Sequence, residues 1–315
     1  MSHQEDWPPS GLTRRRIRLE TGVSLDVTTG GAPDGAPILL LHGFPESGRT
    51  WRHQLADLAP QFRVAAPDQR GFAGSEKPPE VSAYAVSRLV ADVFTLADAL
   101  GFGRFVLAGH DWGGAVAWAA ALKHPERLAG LVIANAPHPY VFQQLLWSDP
   151  NQRDASRYIL DYRRSGMAAE IRAGGLEAFL ERSVGSHLPS KLLTSAVRAA
   201  YLEEWSQPGA LEAMLNWYAA SPLAVPARDD PGPRPAWLDR PFPQVAVPVL
   251  VVWGRRDRAL LPAQLKDLPA HVPDLRIVEV DAGHFVTWEK PQAVTSAIRG
   301  FLEERLSAGA FGGAN

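Results

Sequence analysis

The stretch Phe105-Val-Leu-Ala-Gly-His-Asp-Trp-Gly-Gly-Ala-Val116 decides how this chain is read. An apolar run, Phe105–Ala108, passes into a helical pattern over 113–123 through Gly109-His110-Asp111-Trp112-Gly113. Glycine two places before and two places after a polar residue is the spacing of a nucleophile elbow. The glycines meet a steric demand. A strand-to-helix turn this tight brings neighbouring backbone against the strained central residue, and side chains there would collide. The turn projects Asp111 above the carboxyl end of the strand, and the Trp112 N–H faces the same space at a helix N-terminus. A serine in that place needs its proton removed before it can acylate. An aspartate is already ionised at neutral pH and can attack an sp³ carbon directly, forming an ester. The plainer reading of the motif alone is an aspartate that caps a helix.

Outward from the elbow, short apolar runs recur at Ile38–Leu41, Phe62–Ala66, Leu131–Ala134, Val249–Trp253 and Leu275–Val280. Several lack polar alternation, as strands covered on both faces do. Ile17, Leu19, Val23, Leu25 and Val27 alternate with mostly polar neighbours, which predicts two half-buried strands around the turn at Thr21-Gly22. Helical patterns lie over 49–58 and 86–100 between the runs and over 290–306 after the last. Such alternation predicts an α/β protein with a mostly parallel sheet and helices on both faces. It breaks over 139–243, which is helical in pattern and closes in a segment rich in proline, Ser221 to Pro248. Proline continues neither a helix nor a central strand, so this segment reads as a linker back to the sheet. The expected organisation is a core over 14–138, a helical lid (cap) over 139–243, the rest of the core over 244–306 and a flexible Gly/Ala-rich tail over 307–315.

Composition narrows the chemistry. The chain has 315 residues, a formal net charge of −2 and no cysteine. Disulfides, thiolate nucleophiles and Cys-ligated zinc are excluded. The arginines are scattered, so no basic footprint for nucleic acid or an anionic membrane emerges. Met1 to Ser10 is polar and contains proline, unlike a signal peptide, and no apolar run reaches membrane-spanning length. A cytoplasmic protein is expected, with a homodimer left open.

Together with the elbow, His42-Gly-Phe-Pro-Glu46, Asp68-Gln-Arg-Gly-Phe72, Asn135-Ala-Pro-His-Pro139, Asn216-Trp-Tyr218 and Gly283-His-Phe285 resemble the epoxide hydrolases of the α/β-hydrolase fold over about residues 14 to 306. Haloalkane dehalogenases share much of this framework. The resemblance implies an eight-stranded sheet beneath an inserted helical lid. An ester on Asp111 needs a base to activate water, usually a histidine oriented by an acid. Asp257 stands just past the strand 249–253, and His284 lies in a glycine-flanked loop after the next one. The order nucleophile, acid, histidine is the one this fold uses. His3, His53, His124, His187 and His271 sit in polar or helical contexts and are weaker candidates; Asp281 competes with Asp257 but shares the loop of His284. His284 is expected to be neutral when it activates that water. The Trp112 N–H supplies one oxyanion donor. By resemblance the Phe44 N–H supplies the other, with a cis bond before Pro45.

The leaving group separates epoxide from halide. By resemblance two lid tyrosines donate to an epoxide oxygen: Tyr218 of Asn216-Trp-Tyr218, and Tyr158 in preference to Tyr162 from Ser156-Arg-Tyr-Ile-Leu-Asp-Tyr162. Trp112, Phe44, His138 and Trp217 are further substrate-contact candidates, although for His138 a structural role is at least as good a reading. A halide needs indole or amide donors. Trp112 could be one and Trp147 or Trp205 another, but Phe44 stands where an asparagine would serve. Fluoroacetate dehalogenases carry two arginines where Trp112 and Ala115 stand here, so a small anionic substrate is not expected. The expected reaction is hydrolysis of a small apolar epoxide to a vicinal diol, with water and without metal or organic cofactor. Haloalkane hydrolysis is the alternative. A non-catalytic binding protein of this fold is a further one, disfavoured because Asp111, Asp257 and His284 are all present.

Overall fold

The computed structural model describes residues 7–311. The reading of the first ten residues and that of the tail therefore lie partly outside the described residues. The apolar runs become strands β1 (Leu12–Arg18), β2 (Ser24–Gly31), β3 (Pro37–Leu41), β4 (Arg63–Pro67), β5 (Phe105–His110), β6 (Leu128–Ala134), β7 (Val249–Gly254) and β8 (Leu275–Val280). They form one sheet in the order β1-β2-β4-β3-β5-β6-β7-β8. Only the β1/β2 and β2/β4 pairs are antiparallel. The order turns back at β3, which sits between β4 and β5, so the loops after β3 and β5 open a crevice at the carboxyl ends of the strands.

β5 explains why its run shows no polar alternation. It is buried along its length, with Phe105 and Leu107 in one hydrophobic cluster and Val106 and Ala108 in another. The first cluster takes in α2 (Val86–Ala99) and α3 (Trp112–Lys123) through Leu89, Val93, Val116 and Trp118. The second takes in the flanking helix Arg52–Leu58, which is α1, and the last helix, Pro291–Ser307, through Leu55, Ile298 and Phe301. Helices thus cover both faces. The last helix ends in a turn with Gly309 at φ 65, and Ala310 and Phe311 fold back onto the second cluster.

Between β6 and β7 the chain inserts α4 (Pro139–Ser148), α5 (Pro150–Ala155), α6 (Tyr158–Tyr162), α7 (Met167–Gly174), α8 (Leu176–Ser183), α9 (Ser195–Ser206) and α10 (Ala210–Ala220). Phe179, Tyr201, Trp205 and Met214 join the cluster of α2 and α3, so the insertion packs onto the same side of the sheet that carries the elbow. The short α11 (Val286–Glu289) leads into the last helix, α12. Among the described residues no helix is long and apolar enough to cross a membrane.

Candidate active site

The elbow is as tight as its glycines require. Asp111 takes φ 50 and ψ −119, a conformation rare for a residue with a side chain. A Cβ on Gly113 would stand 2.3 Å from the Leu41 carbonyl oxygen, and one on Gly43 would stand 2.5 Å from the Cβ of Asp111. Residue 43 must therefore be glycine for the loop after β3 to reach Asp111. Once there, the Phe44 N–H donates to Asp111 Oδ1 at 2.8 Å. The Trp112 N–H stands at the first position of α3, where no intrahelical acceptor exists. The Phe44–Pro45 bond is cis. Beneath this loop the Gln69 N–H donates to His42 Nε2 at 2.9 Å, so Asp68-Gln-Arg-Gly-Phe72 acts as a brace. Arg70 is fixed in turn by two bonds of 2.7 Å to the buried Asp92.

The loops after β7 and β8 bring the other two groups. His284 Nδ1 lies 2.7 Å from Asp257 Oδ2, and its Nε2 lies 3.7 Å from Asp111 Oδ2. Asp281 is turned out to solvent against Arg256. Asp257 is buried and fully engaged. Oδ1 accepts from the N–H groups of Ala259 at 2.8 Å and Leu260 at 3.0 Å, and Oδ2 also accepts from Asn135 Nδ2 at 2.7 Å. Burial opposes its charge, but His284 and these donors hold its carboxyl below the usual range. Burial also works against a charged His284; Asp257, then Asp111 and Glu46, outweigh it and raise the imidazole to about 9. Two aspartates thus favour the protonated ring in the resting site; the neutral ring expected from sequence belongs to the later step in which water is activated.

Asn135 and the pair Glu46–His110 belong to this site, although sequence analysis assigns them nothing beyond membership of their motifs. Asn135 (φ 38) accepts from the Gly254 N–H at 2.8 Å while it holds Asp257. His110 is wholly buried, with Nδ1 2.8 Å from Glu46 Oε2 and Nε2 2.9 Å from the carbonyl oxygen of His284. It ties the loop after β3 to the histidine loop. Asn135 follows β6, the strand beside that of the elbow, and its place is legible only once the strand order is known; His110 ends the elbow strand itself, and it is its partners that wait on the fold.

Two cavities meet over Asp111. One, of about 440 Å³, is mainly apolar and is walled by Trp112, Phe142, Ile159 and Leu223. The other, of about 280 Å³, is more polar and includes Phe44, His284, His187, Arg182 and Arg258. Asp111, Tyr158 and Tyr218 line both, whereas Tyr162 lines only the second. The rings of Tyr158 and Tyr218 lie 6.2 Å apart. Burial, followed for Tyr158 by the charge of Asp111 and for Tyr218 by Tyr158 and Asp111, raises both phenols well above their ordinary value. Tyr162 is raised to about 12, again mainly by burial. All three are protonated donors at neutral pH.

Two expected contact residues are not brought to the cavities. Trp217 packs behind Trp112 against Phe72 and donates its indole N–H to the Arg70 carbonyl at 3.0 Å. Tyr218, the next residue on α10, points the other way, because neighbouring helical positions diverge. His138 is buried between Trp118 and Phe242 and stacked on His271, with neither ring nitrogen hydrogen bonded. Burial lowers it to about 3, so the ring is neutral. Its neighbours Pro137 and Pro139 line the apolar cavity instead. His187, discounted for its polar context, is the opposite case: its ring stands 6.5 Å from that of His284. The indole N–H groups of Trp147 and Trp205 donate to the carbonyls of Pro233 and Pro45, so neither is offered to a halide. Among the described residues no group of His, Cys, Asp or Glu is arranged to hold a metal ion.

A strand-end aspartate at an elbow, a histidine and acid on the following strands and a helical insertion above define an α/β-hydrolase. The alpha/beta hydrolase fold family matches residues 36–291. The chain belongs to that family and, within it, to the epoxide hydrolases. It is 35% identical to the AB hydrolase superfamily protein YfhM of Bacillus subtilis, over 90% of this chain and 96% of that protein. It is 32% identical to Epoxide hydrolase 3 of Xenopus tropicalis, over 91% of this chain and 77% of that protein. A solved epoxide hydrolase from metagenomes of hot environments superposes with a TM-score of 0.86 at 45% identity, covering 92% of this chain and 98% of the other. The inhibitor complex of a Bacillus megaterium epoxide hydrolase gives 0.81 at 28%, covering 92% and 100%.

Proposed function

We propose that the protein hydrolyses an epoxide to a vicinal diol through a covalent alkyl ester on Asp111, with 139–243 as the cap that closes over the substrate. The observation that carries this reading is the convergence of Asp111, Tyr158 and Tyr218 on the walls of both cavities. Asp111 Oδ1 is held by Phe44, which leaves Oδ2 to attack an epoxide carbon from behind. The C–O bond breaks, and its oxygen takes a proton from Tyr158 or Tyr218. Asp111 then carries no charge. One of the charges that raise His284 has gone, and burial pulls the imidazole down toward the neutral form. His284, oriented by Asp257, takes a proton from water as the water adds to the ester carbonyl. Oδ1 bears the negative charge of the tetrahedral intermediate against the Phe44 and Trp112 N–H groups. Before the water adds, the imidazolium gives up its proton through solvent to the tyrosinate. Collapse then breaks the C–O bond of the ester, and the departing alkoxide takes the proton held by His284 to leave as the diol. The acid formed on Asp111 returns its proton to His284, which restores the resting site.

His284→Gln tests the route. Intact-mass measurement after exposure to styrene oxide should show one substrate mass added to the protein, and the Ala variant of Asp111 should show none. An unmodified His284→Gln protein would mean that water attacks the epoxide directly. The haloalkane reading loses support because Trp147 and Trp205 are engaged elsewhere.

A further inference from the structure

We infer that the polar cavity is an anion subsite, in which Arg182 and Arg258 select epoxides that carry a carboxylate or phosphate on the side opposite an apolar substituent. This inference rests on the epoxide-hydrolase reading above and names the substrate class. Three observations lead to it. The nucleophile and both donor tyrosines stand where an apolar and a polar cavity join, so an epoxide held there has one substituent in each. Both arginines line the polar cavity, Arg182 from the end of α8 in the cap and Arg258 from the loop after β7. Neither makes an ion pair among the described residues. The acids near them in sequence are engaged elsewhere: Glu177 and Glu181 by Arg198, and Asp257 by His284.

An unpaired guanidinium is an open fork for a carboxylate or phosphate. Two at the mouth of a concave site also focus the field on an approaching anion. Arg258 is already steadied by the Ser186 carbonyl, which bridges the core to the cap. The missing arginines at Trp112 and Ala115 exclude an anion bonded next to the reacting carbon. They do not exclude one across a cavity of about 280 Å³. The resting site carries one net negative charge from Asp111, Asp257 and protonated His284, and the arginines offset the repulsion it exerts on an anionic substrate.

The test compares three epoxides that share a phenyl group on one side and differ in the other chain: terminal carboxylate, matching phosphonate and methyl ester. The expected kcat/KM is about tenfold or more in favour of at least one anion over the ester, the value of one charge-assisted hydrogen bond. Which anion leads identifies the group. Sodium chloride should shrink the ratio. In Arg182→Gln/Arg258→Gln the anion-to-ester ratio should fall to about one, and Arg→Lys at both sites should restore part of it. A ratio near one in the unaltered protein, or a ratio that survives the double variant, overturns the inference while leaving epoxide hydrolysis standing. Equal slowing of all three substrates by the double variant overturns it too, because the arginines would then only balance the charge of the triad. Calorimetric binding of the carboxylate diol, weakened about tenfold in the double variant, reads the subsite independently of turnover. If none of the three epoxides is turned over but the diol binds in this way, the epoxide reading fails and the anion subsite stands.

Discussion

The two halves of the site are held in different ways. Asp111, Asp257 and His284 sit at strand ends, and backbone N–H groups, Asn135 and Asp257 orient them through bonds of 2.7 to 3.0 Å. The cap side of the site is held by packing: the ring of Tyr218 lies 4.9 Å from Phe44 and 5.1 Å from Trp112, and Tyr162 lies 5.0 Å from Tyr218. Hydrogen bonds at strand ends fix an atom to a fraction of an ångström, which nucleophile and base require. Aromatic packing fixes a wall and leaves its contour adjustable. In the mechanism proposed above, the core sets the ester chemistry, and the cap sets which electrophile is activated and what its substituents are.

If that division is right, substitutions in the core and the cap should fail at different steps. Asp111→Ala should give the largest loss, roughly 10⁴-fold or more in steady-state turnover. Residual turnover within about tenfold of the unaltered protein would break the comparison at its root. Tyr218→Phe should slow ring opening by roughly two orders of magnitude, the contribution of one positioned acid. Quenched single turnovers should show the ester forming slowly while its hydrolysis rate stays unchanged. Tyr158→Phe should act in the same sense, and Tyr162→Phe much less, because Tyr162 lines only one cavity. A larger loss at Tyr162 than at Tyr158 would reverse the assignment of the first donor. Asn135→Ala should do the converse. It leaves Asp257 one bond short and the Gly254 N–H unpaired, and each such loss costs about 1–3 kcal/mol. Ester hydrolysis should slow by about tenfold while ring opening is spared.

The smallest effect is a stability effect of pH. His284 is raised on folding from 6.5 to about 9. The folded state therefore binds its proton more tightly than the unfolded chain does. The resulting stabilisation is complete below about pH 6.5 and is lost as pH rises through about 9. The melting temperature should fall across that window, and His284→Gln should flatten the decline. The same window should divide the two chemical steps. Ring opening by the free enzyme should respond near pH 9, and ester hydrolysis at a lower pH, because the ester removes the charge of Asp111. Identical pH profiles for both steps would show that the charge on Asp111 does not control His284.

Much of the fold was legible because strands buried on both faces write themselves as unbroken apolar runs. Phe105–Ala108 and Val249–Trp253 became β5 and β7 with little change at either end. Of the site, the elbow and the glycine-flanked His284 could be read because local backbone geometry dictates their neighbours. Trp217 and His138 misled because motif membership does not say which way a side chain faces. His187 was passed over because a polar surrounding in sequence can be a cavity mouth in space.

The sequence by itself determined the class of chemistry. A carboxylate at a glycine-bounded turn, followed by an acid and a histidine in order, is a property of short segments and survives without knowledge of how they meet. Only the tertiary structure decided the rest. It set His284 among the charges of Asp257, Asp111 and Glu46, which raise it, gave Asn135 and His110 their partners, and joined an apolar cavity to a polar one over Asp111. Each depends on strand order, on helix orientation or on the charge summed from distant segments, and none of these is written in any one stretch of the chain.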